Sequence, residues 1–404
     1  MPSIITRVTN ALEATTKGSP LTNAEIDQNF ININNQVTLN AELGKDLTGF
    51  PNRTDSTLTF NELTRVLTLA PTDTSFTVYH RGVPYLIDAA KTVTITDTHV
   101  GRYIIYDHIQ NRLLDVGTSP SFSDQIVVAY IYWDAFENTA IIFGDERHTS
   151  ARDTTWHHFQ HNTVGALWKS GGTASYTINN ANQVQVSLTA PIVVWDEDIE
   201  HSISHVDAGS INPLAQYEQT LLNGASLPIL YLSGTVYKQA AASTLPWMES
   251  STRGYYNPIV LDNGSLAVAP SNGLFITYWL VATNDIKFPI KLIMGRNAHA
   301  TYGDAEGEDF DGYGLPMPEI APMYKFILQT SDTYTQNTAR VKIVGVKELV
   351  GKQNARSNSF DTFSHNALSD RNTANQHSIS SITDLQTTLD AISGNSIAMS
   401  IALG

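Results

Sequence analysis

From residue 46 to about 350 the chain is written in short runs of Val, Ile, Thr, Tyr and Phe. Each run is stopped by Gly, Pro, Asn or Asp. Branched and aromatic side chains suit the pleated surface of a strand, and clusters of turn residues bound it. Strands this short, with turns this frequent, predict antiparallel sandwiches rather than a parallel sheet. Val184-Gln-Val-Ser-Leu-Thr alternates apolar and polar residues at period two and reads as a half-buried strand. Ile192-Val-Val-Trp195 reads as its continuation.

The β-rich stretch carries a weak internal repeat. Phe76-Thr-Val-Tyr-His-Arg-Gly-Val-Pro-Tyr85 precedes Ala89-Ala90, and Ile229-Leu-Tyr-Leu-Ser-Gly-Thr-Val-Tyr237 precedes Ala240-Ala241. Each is followed by a Gly-led aromatic strand, Gly101-Arg-Tyr-Ile-Ile-Tyr106 or Gly273-Leu-Phe-Ile-Thr-Tyr-Trp279. A further apolar strand follows in each case, Ile126–Trp133 or Pro322–Leu328. Three matching elements in the same order suggest two related β-domains.

Composition excludes several classes. The 404 residues include 24 Lys plus Arg, 39 Asp plus Glu and no Cys, for a formal charge of −15. Disulfide frameworks and Cys-ligated metal sites are therefore impossible. The acidic balance argues against nucleic-acid binding, which needs clustered Lys and Arg. No run approaches the ~20 apolar residues of a membrane span, and the N-terminus lacks the apolar core of a signal peptide.

The β-rich stretch is flanked by two helical patterns. Thr22-Asn-Ala-Glu25 matches a capping box, in which hydroxyl and carboxylate satisfy orphan backbone donors reciprocally. Ile26, Phe30, Ile33 and Val37 then fall at spacings of four, three and four, a short a/d seam that Gly44 closes. A helix with so narrow an apolar stripe is marginal alone. The lack of nearby hydrophobic sequence favours self-association or docking into another protein over packing on its own domain. Near the C-terminus Ile382, Leu385, Leu389 and Ile392 repeat the logic, with Ser381 or Thr383 to cap and Gly394 to stop. Seams this short hold identical chains together only when a large folded body helps.

Candidate chemistry is thin. His157 and His161 have the i, i+4 spacing of a zincin helix, but His158 stands where the general-base Glu belongs. The cluster reads as surface or interface histidines. Gly144-Asp-Glu-Arg-His148 follows an apolar strand, and Asp145 with Arg147 reads as a charged pair organising a junction. The acidic runs Asp196-Glu-Asp-Ile-Glu-His201 and Gly303-Asp-Ala-Glu-Gly-Glu-Asp-Phe-Asp311 do not fit an EF-hand loop and read as solvated loops. There is no nucleophile elbow and no phosphate-cradling glycine loop. The expectation is no catalytic residue, no metal, no cofactor and no enzyme. Aromatics, including 17 Tyr and 6 Trp, read mainly as core and interface residues, with sugar stacking as the alternative.

Lys17-Gly-Ser-Pro-Leu-Thr-Asn-Ala-Glu-Ile-Asp-Gln-Asn-Phe30, continuing to Asn35, resembles the N-terminal segment of tailed-bacteriophage tail fibre proteins. His377-Ser-Ile-Ser-Ser-Ile-Thr-Asp-Leu-Gln-Thr-Thr-Leu-Asp390, preceded by Asn366-Ala-Leu-Ser-Asp-Arg-Asn372, is similar to a segment that recurs in the same fibres. The two motifs cover roughly 35 residues. Gly144–His148 and Gly295-Arg-Asn-Ala-His-Ala-Thr-Tyr-Gly-Asp304 also look like parts of such proteins. The sequence departs from the family in having no long glycine-repeat or β-helical shaft and no chaperone or autocleavage domain at its end.

The resemblance implies a structural virion protein, a trimeric fibre or fibre adaptor contributing to host-cell attachment, assembled in host cytoplasm and located in the phage tail. Leu21, Ile26, Phe30, Ile33 and Val37 would attach to a baseplate or tail protein. Ile382, Leu385, Leu389 and Ile392 would form a trimeric coil that ends the particle or holds a distal fibre subunit. The alternative is a receptor-binding protein whose β-domain holds host surface glycan directly. The expected fold is mainly β: two antiparallel β-sandwich-like domains flanked by short N- and C-terminal α-helical coiled-coil segments, in a homotrimer. The expected divisions are an attachment segment at 1–45, a first β-domain at 46–145, a β-rich connector at 146–215, a second β-domain at 216–350 and a linker with coil at 351–404. Neither nucleic acid nor membrane insertion is expected.

Overall fold

A computed structural model describes residues 20–44 and 47–349, with breaks at 118–119, 123, 152–155, 157–158, 161–162, 177–183, 208–216, 234–235, 251, 259–266, 270, 311–319 and 335–339. It also describes the two-residue strands Ile5–Thr6 and Thr15–Thr16, which pair in parallel. These residues belong to one compact unit, Met1–Arg356. The seam Ile382, Leu385, Leu389 and Ile392 lies outside the described residues, as do His157, His158, His161 and the side chain of Val37.

The protein is mainly β. Two four-strand sets share one topology. In the first, Val100–Asp107 pairs with Arg112–Gly117 on one side and with Ile126–Asp134 on the other, and Thr139–Asp145 closes the far edge. In the second, Phe275–Thr283 pairs with Ile290–His299 and with Ile320–Thr330, and Val341–Glu348 closes that edge. Every one of these pairings is antiparallel. The repeated sequence elements fall on the first and third strands of each set. The likeness stops at the preceding hairpins. Leu227–Ser233 and Val236–Ser243 join the second set, the former in parallel beside Ile290–His299. Phe76–His80 and Val83–Ile87 form a two-stranded sheet of their own.

Burial explains why these strands read as continuous apolar runs. All nine residues of Ile126–Asp134 are buried, and so are eight of the nine in Phe275–Thr283. Both faces of each central strand are covered. One buried cluster joins Tyr103, Tyr130, Tyr132 and Ile142 of the first set to Trp279, Val281 and Ile293 of the second. The opposite faces, with Ile104, Ile131 and Trp133 or Tyr278, Leu280 and Phe326, belong to a larger cluster extending from Phe50 to Ile343. A two-faced strand loses the polar alternation of a half-exposed one. The tyrosines accordingly pack inside: the rings of Tyr103 and Tyr130 lie 4.8 Å apart on paired strands.

Residues between the two sets form a smaller sheet of Ala166–Ser170, Ile192–Asp196, Ile199–His205 and Glu218–Gln219. Val186–Leu188 is a strand with alternating burial, as its period-two pattern predicts. Ile192–Asp196 does not continue it. Val186–Leu188 pairs with Ala174–Tyr176, whereas Ile192–Asp196 lies between Ala166–Ser170 and Ile199–His205. Pro191 separates the two strands, and it has no N–H to donate to a ladder.

Candidate functional site

The first candidate surface is the helix Asn23–Gly44, here α1. Its capping box forms as the sequence predicts. The Thr22 backbone N–H donates to Glu25 Oε2 at 2.7 Å, the Thr22 hydroxyl to the same oxygen at 2.9 Å, and the Glu25 N–H to Thr22 Oγ1 at 3.3 Å. One turn later Gln28 Nε2 donates to Asn32 Oδ1 at 2.9 Å. The apolar seam faces out. Phe30 is 68% exposed, and Ile26 and Ile33 are also exposed, while Leu21 is half-buried and Asn32 is buried. Over residues 23–35 the covered side of this helix is therefore polar, and its hydrophobic side is open.

The second candidate is the loop after Thr139–Asp145, which carries Glu146, Arg147 and His148. All four charged side chains from Asp145 to His148 are buried. Arg147 grips Asp145 with two parallel bonds, Nε to Oδ1 and Nη2 to Oδ2, both 2.7 Å. Its Nη1 donates to the carbonyl oxygens of Arg53 at 2.9 Å and Ser56 at 2.6 Å, and to Ser56 Oγ at 2.8 Å. Arg53 adds a bond from Nη1 to Asp145 Oδ2 at 3.1 Å and extends Nη2 to the Glu200 carbonyl at 2.9 Å. Burial disfavours the Asp145 carboxylate, but Arg147 and Arg53 outweigh it and hold the group well below the usual carboxylate range. The Asp145–Arg147 pair is thus a structural junction, as the sequence suggests. Its tie to Arg53 and Ser56 is not readable from the local sequence.

His148 faces the other way. Its Nδ1 lies 2.7 Å from Asp198 Oδ1, and its Nε2 stands 3.6 Å from Glu146 Oε2. Glu146 also accepts from Asn284 Nδ2 at 2.9 Å. Burial opposes charge on the imidazole, but Asp198 and Glu146 overcome it and raise the group well above its ordinary value. Asp198 belongs to the acidic run at 196–201, which is not a solvated loop. It forms the turn between Ile192–Asp196 and Ile199–His205, with Asp196 and His201 buried 3.8 Å apart beneath it. The Tyr217 ring lies tilted against His201 at 4.4 Å, and burial together with Asp145 pushes its phenol well up.

In the acidic run from Gly303, Asp304, Glu306 and Asp309 are exposed, as a solvated loop predicts, and Glu308 is the exception. Thr301 caps the short helix Tyr302–Gly307. Glu308 then turns in, accepting from Thr277 Oγ1, from the Arg296 backbone N–H at 2.9 Å and from Asn297 Nδ2 at 3.3 Å; His299 Nε2 lies 3.0 Å away. Lys325 Nζ takes the carbonyl oxygens of Glu306, at 2.9 Å, and of Glu308. The loop's inward acceptors are therefore met by a cation of the chain itself. Among the described residues no group of three His, Asp or Glu side chains is placed to hold a metal ion, and no helix is long and apolar enough to cross a membrane.

No protein-family model, no curated protein and no solved structure matches this chain. The functional reading therefore rests on the residues. Their arrangement offers an open apolar helix face and a locked ionic junction between sheets. The sequence reading located α1 and the Asp145–Arg147 pair. It missed the bond from His148 to Asp198, because the two are 50 residues apart and no spacing rule joins them.

Proposed function

We propose that the chain is a structural virion protein of the tail-fibre type, a trimeric fibre or fibre adaptor of a tailed phage. Leu21 and the α1 residues Ile26, Phe30, Ile33 and Val37 attach to a baseplate or tail protein. The β-rich body, with two sandwich-like halves, is a stiff spacer. Ile382, Leu385, Leu389 and Ile392 close the trimer in a short coil and carry any distal subunit.

The observation supporting this reading is the outward seam of α1. A capped helix that turns Ile26, Phe30 and Ile33 to solvent while covering Asn32 presents an apolar face that the described residues leave open. The motif that resembles fibre attachment segments spans the same residues. Replacing Ile26, Phe30 and Ile33 with Ser should leave a folded body that no longer enters tails. Normal incorporation of that variant would overturn the attachment role.

Direct recognition of a host glycan is the second reading. One feature favours it, a cleft beside Trp195 of Ile192–Asp196.

A further inference from the structure

Two hairpin ends meet on His80 and His108. Arg81 and Gly82 both have positive φ, 49° and 77°, which fits the tight two-residue turn of a hairpin. That turn joins Phe76–His80 to Val83–Ile87 and leaves His80 as the last residue of its strand. His108 opens the turn between Val100–Asp107 and Arg112–Gly117. The Asp107 carboxylate shapes this second turn, accepting from the Ile109 N–H at 2.9 Å and the Gln110 N–H at 3.2 Å. The two imidazoles stack with centroids 3.9 Å apart and planes 23° from parallel. Tyr85, on the other strand of the first hairpin, sets its ring 4.7 Å from His108.

Such a stack accepts one proton more readily than two. One imidazolium over a neutral imidazole is a cation on a π-face, which attracts. Two imidazolium rings are like charges. Both rings are half-buried, and near a protein surface the repulsion is about four times that in water. His80 Nε2 lies 3.0 Å from the Asp124 carbonyl, which accepts its proton, so a further proton adds at Nδ1. The charged groups around the pair are Arg81, joined to the Asp124 carboxylate, and Asp107. Tyr85 and Tyr106 bring phenols, and Asp88 acts on Tyr106. Burial, and after it His80, hold the His108 imidazole below its ordinary value against the pull of Asp107.

The two sides are anchored differently. On the His80 side the Arg81 N–H donates to Thr48 Oγ1 at 3.1 Å and the Gly82 N–H to the Leu47 carbonyl at 2.8 Å, while Phe76, Val78 and Ile87 are buried. On the His108 side Ile109 and Gln110 are exposed, and their amides bond to Asp107 of the same turn. We propose that His80 and His108 form an acid-opened latch: the stacked pair holds one proton, and a second swings the turn 107–112 away from the hairpin 76–87 and frees the Tyr85 ring. Because the folded-state value of His108 is lowered, the closed latch is favoured above about pH 6.5 and is lost as pH falls through the lowered value.

The test is NMR on the full-length chain with carbon-13 in the His and Tyr rings, using His80→Gln and His108→Gln to assign the pair. In the parent the two histidine midpoints should stand about one pH unit or more apart. His80→Gln should raise the His108 midpoint by about half a unit or more. In the parent, contacts between Tyr85 and His108 ring protons should be present at about pH 7.5 and lost at about pH 4.5. In His80→Gln they should persist at the acid end, because no second charge arises. Should the variants misfold, the parent's own ring contact decides the matter. Coincident midpoints that neither substitution moves, a contact that survives acid in the parent, or one lost equally in His80→Gln would overturn the proposal.

Discussion

Arg147 places all three of its guanidinium nitrogens on acceptors inside the protein, two of them on the buried Asp145. Arg147→Met should therefore leave a buried carboxylate with Arg53 as its remaining arginine partner among the described residues. Removing one partner of such a pair costs about 3–5 kcal/mol, which urea unfolding would register as a lower midpoint with an unchanged slope. His148 yields a pH prediction. Its folded-state value is raised, so its contribution to stability is complete below about pH 6.5, the ordinary imidazole value, and is lost as pH rises through the raised value. Asp145 acts in the opposite sense. Its folded-state value is depressed, so its contribution is present above about pH 4 and fades as pH falls. Urea midpoints measured between pH 6 and pH 10 should show His148→Gln well below the parent at the acid end, with the gap narrowing toward the alkaline end. A constant gap would mean that His148 is neutral when folded. Glycines at this scale act for different reasons. At Gly101 a Cβ would overlap the Tyr130 hydroxyl, whereas at Gly273 it would make only an ordinary contact with Gln329 Nε2 at 3.8 Å, but φ is +77°. The two Gly-led strands look alike in sequence, yet one glycine makes room and the other makes a turn.

At the scale of elements, local chemistry and tertiary context divide cleanly. The capping box at Thr22 and Glu25 needs only four residues, and it forms where the spacing puts it. Thr22→Ala should weaken the first turn of α1 by about 0.5–2 kcal/mol. Hydrogen exchange at the Glu25 and Ile26 amides, both bonded to the Thr22 carbonyl, should then speed up severalfold while the strands are unaffected. Protection unchanged at those amides would show that the cap contributes nothing. Strands were legible by composition, but their partners were not. Val186–Leu188 and Ile192–Asp196 lie four residues apart and belong to different sheets. The weak repeat was more informative, because it marked the first and third strands of two sets with one topology. It did not reveal that only the second set takes its preceding hairpin into the sheet.

Over the whole molecule the two sets are joined by more than shared apolar surface. Gly144 bridges Asp285, and the Ile286 N–H donates to the Phe143 carbonyl at 2.8 Å. Lys291, fully buried, pairs with Asp285 at 2.5 Å and donates to the Ile141 carbonyl at 3.1 Å and to Gln239 Oε1 at 2.8 Å. Burial lowers its ammonium below the usual lysine range despite Asp285. With both sets contributing to one buried cluster, neither exposes its inner face without the other. Thermal unfolding followed by tryptophan fluorescence and by far-ultraviolet circular dichroism should trace one coincident transition. Two separated transitions would mean that each set is stable alone.

By itself the sequence determined the β-rich class, the capped α1 with its a/d seam, the Asp145–Arg147 pair and the turns that bound each strand. These depend on residues a few positions apart, where propensity, capping and charge act directly. The tertiary structure alone decided the rest. It set Arg147 on Arg53 and Ser56 and His148 on Asp198. It covered both faces of the central strands, set Lys325 on the Glu306 and Glu308 carbonyls, and turned Ile26, Phe30 and Ile33 of α1 outward. Each of those outcomes depends on which surfaces meet across tens to hundreds of residues. Periodicity shows that a face is apolar, but the partner covering it is chosen by the packing of the whole chain.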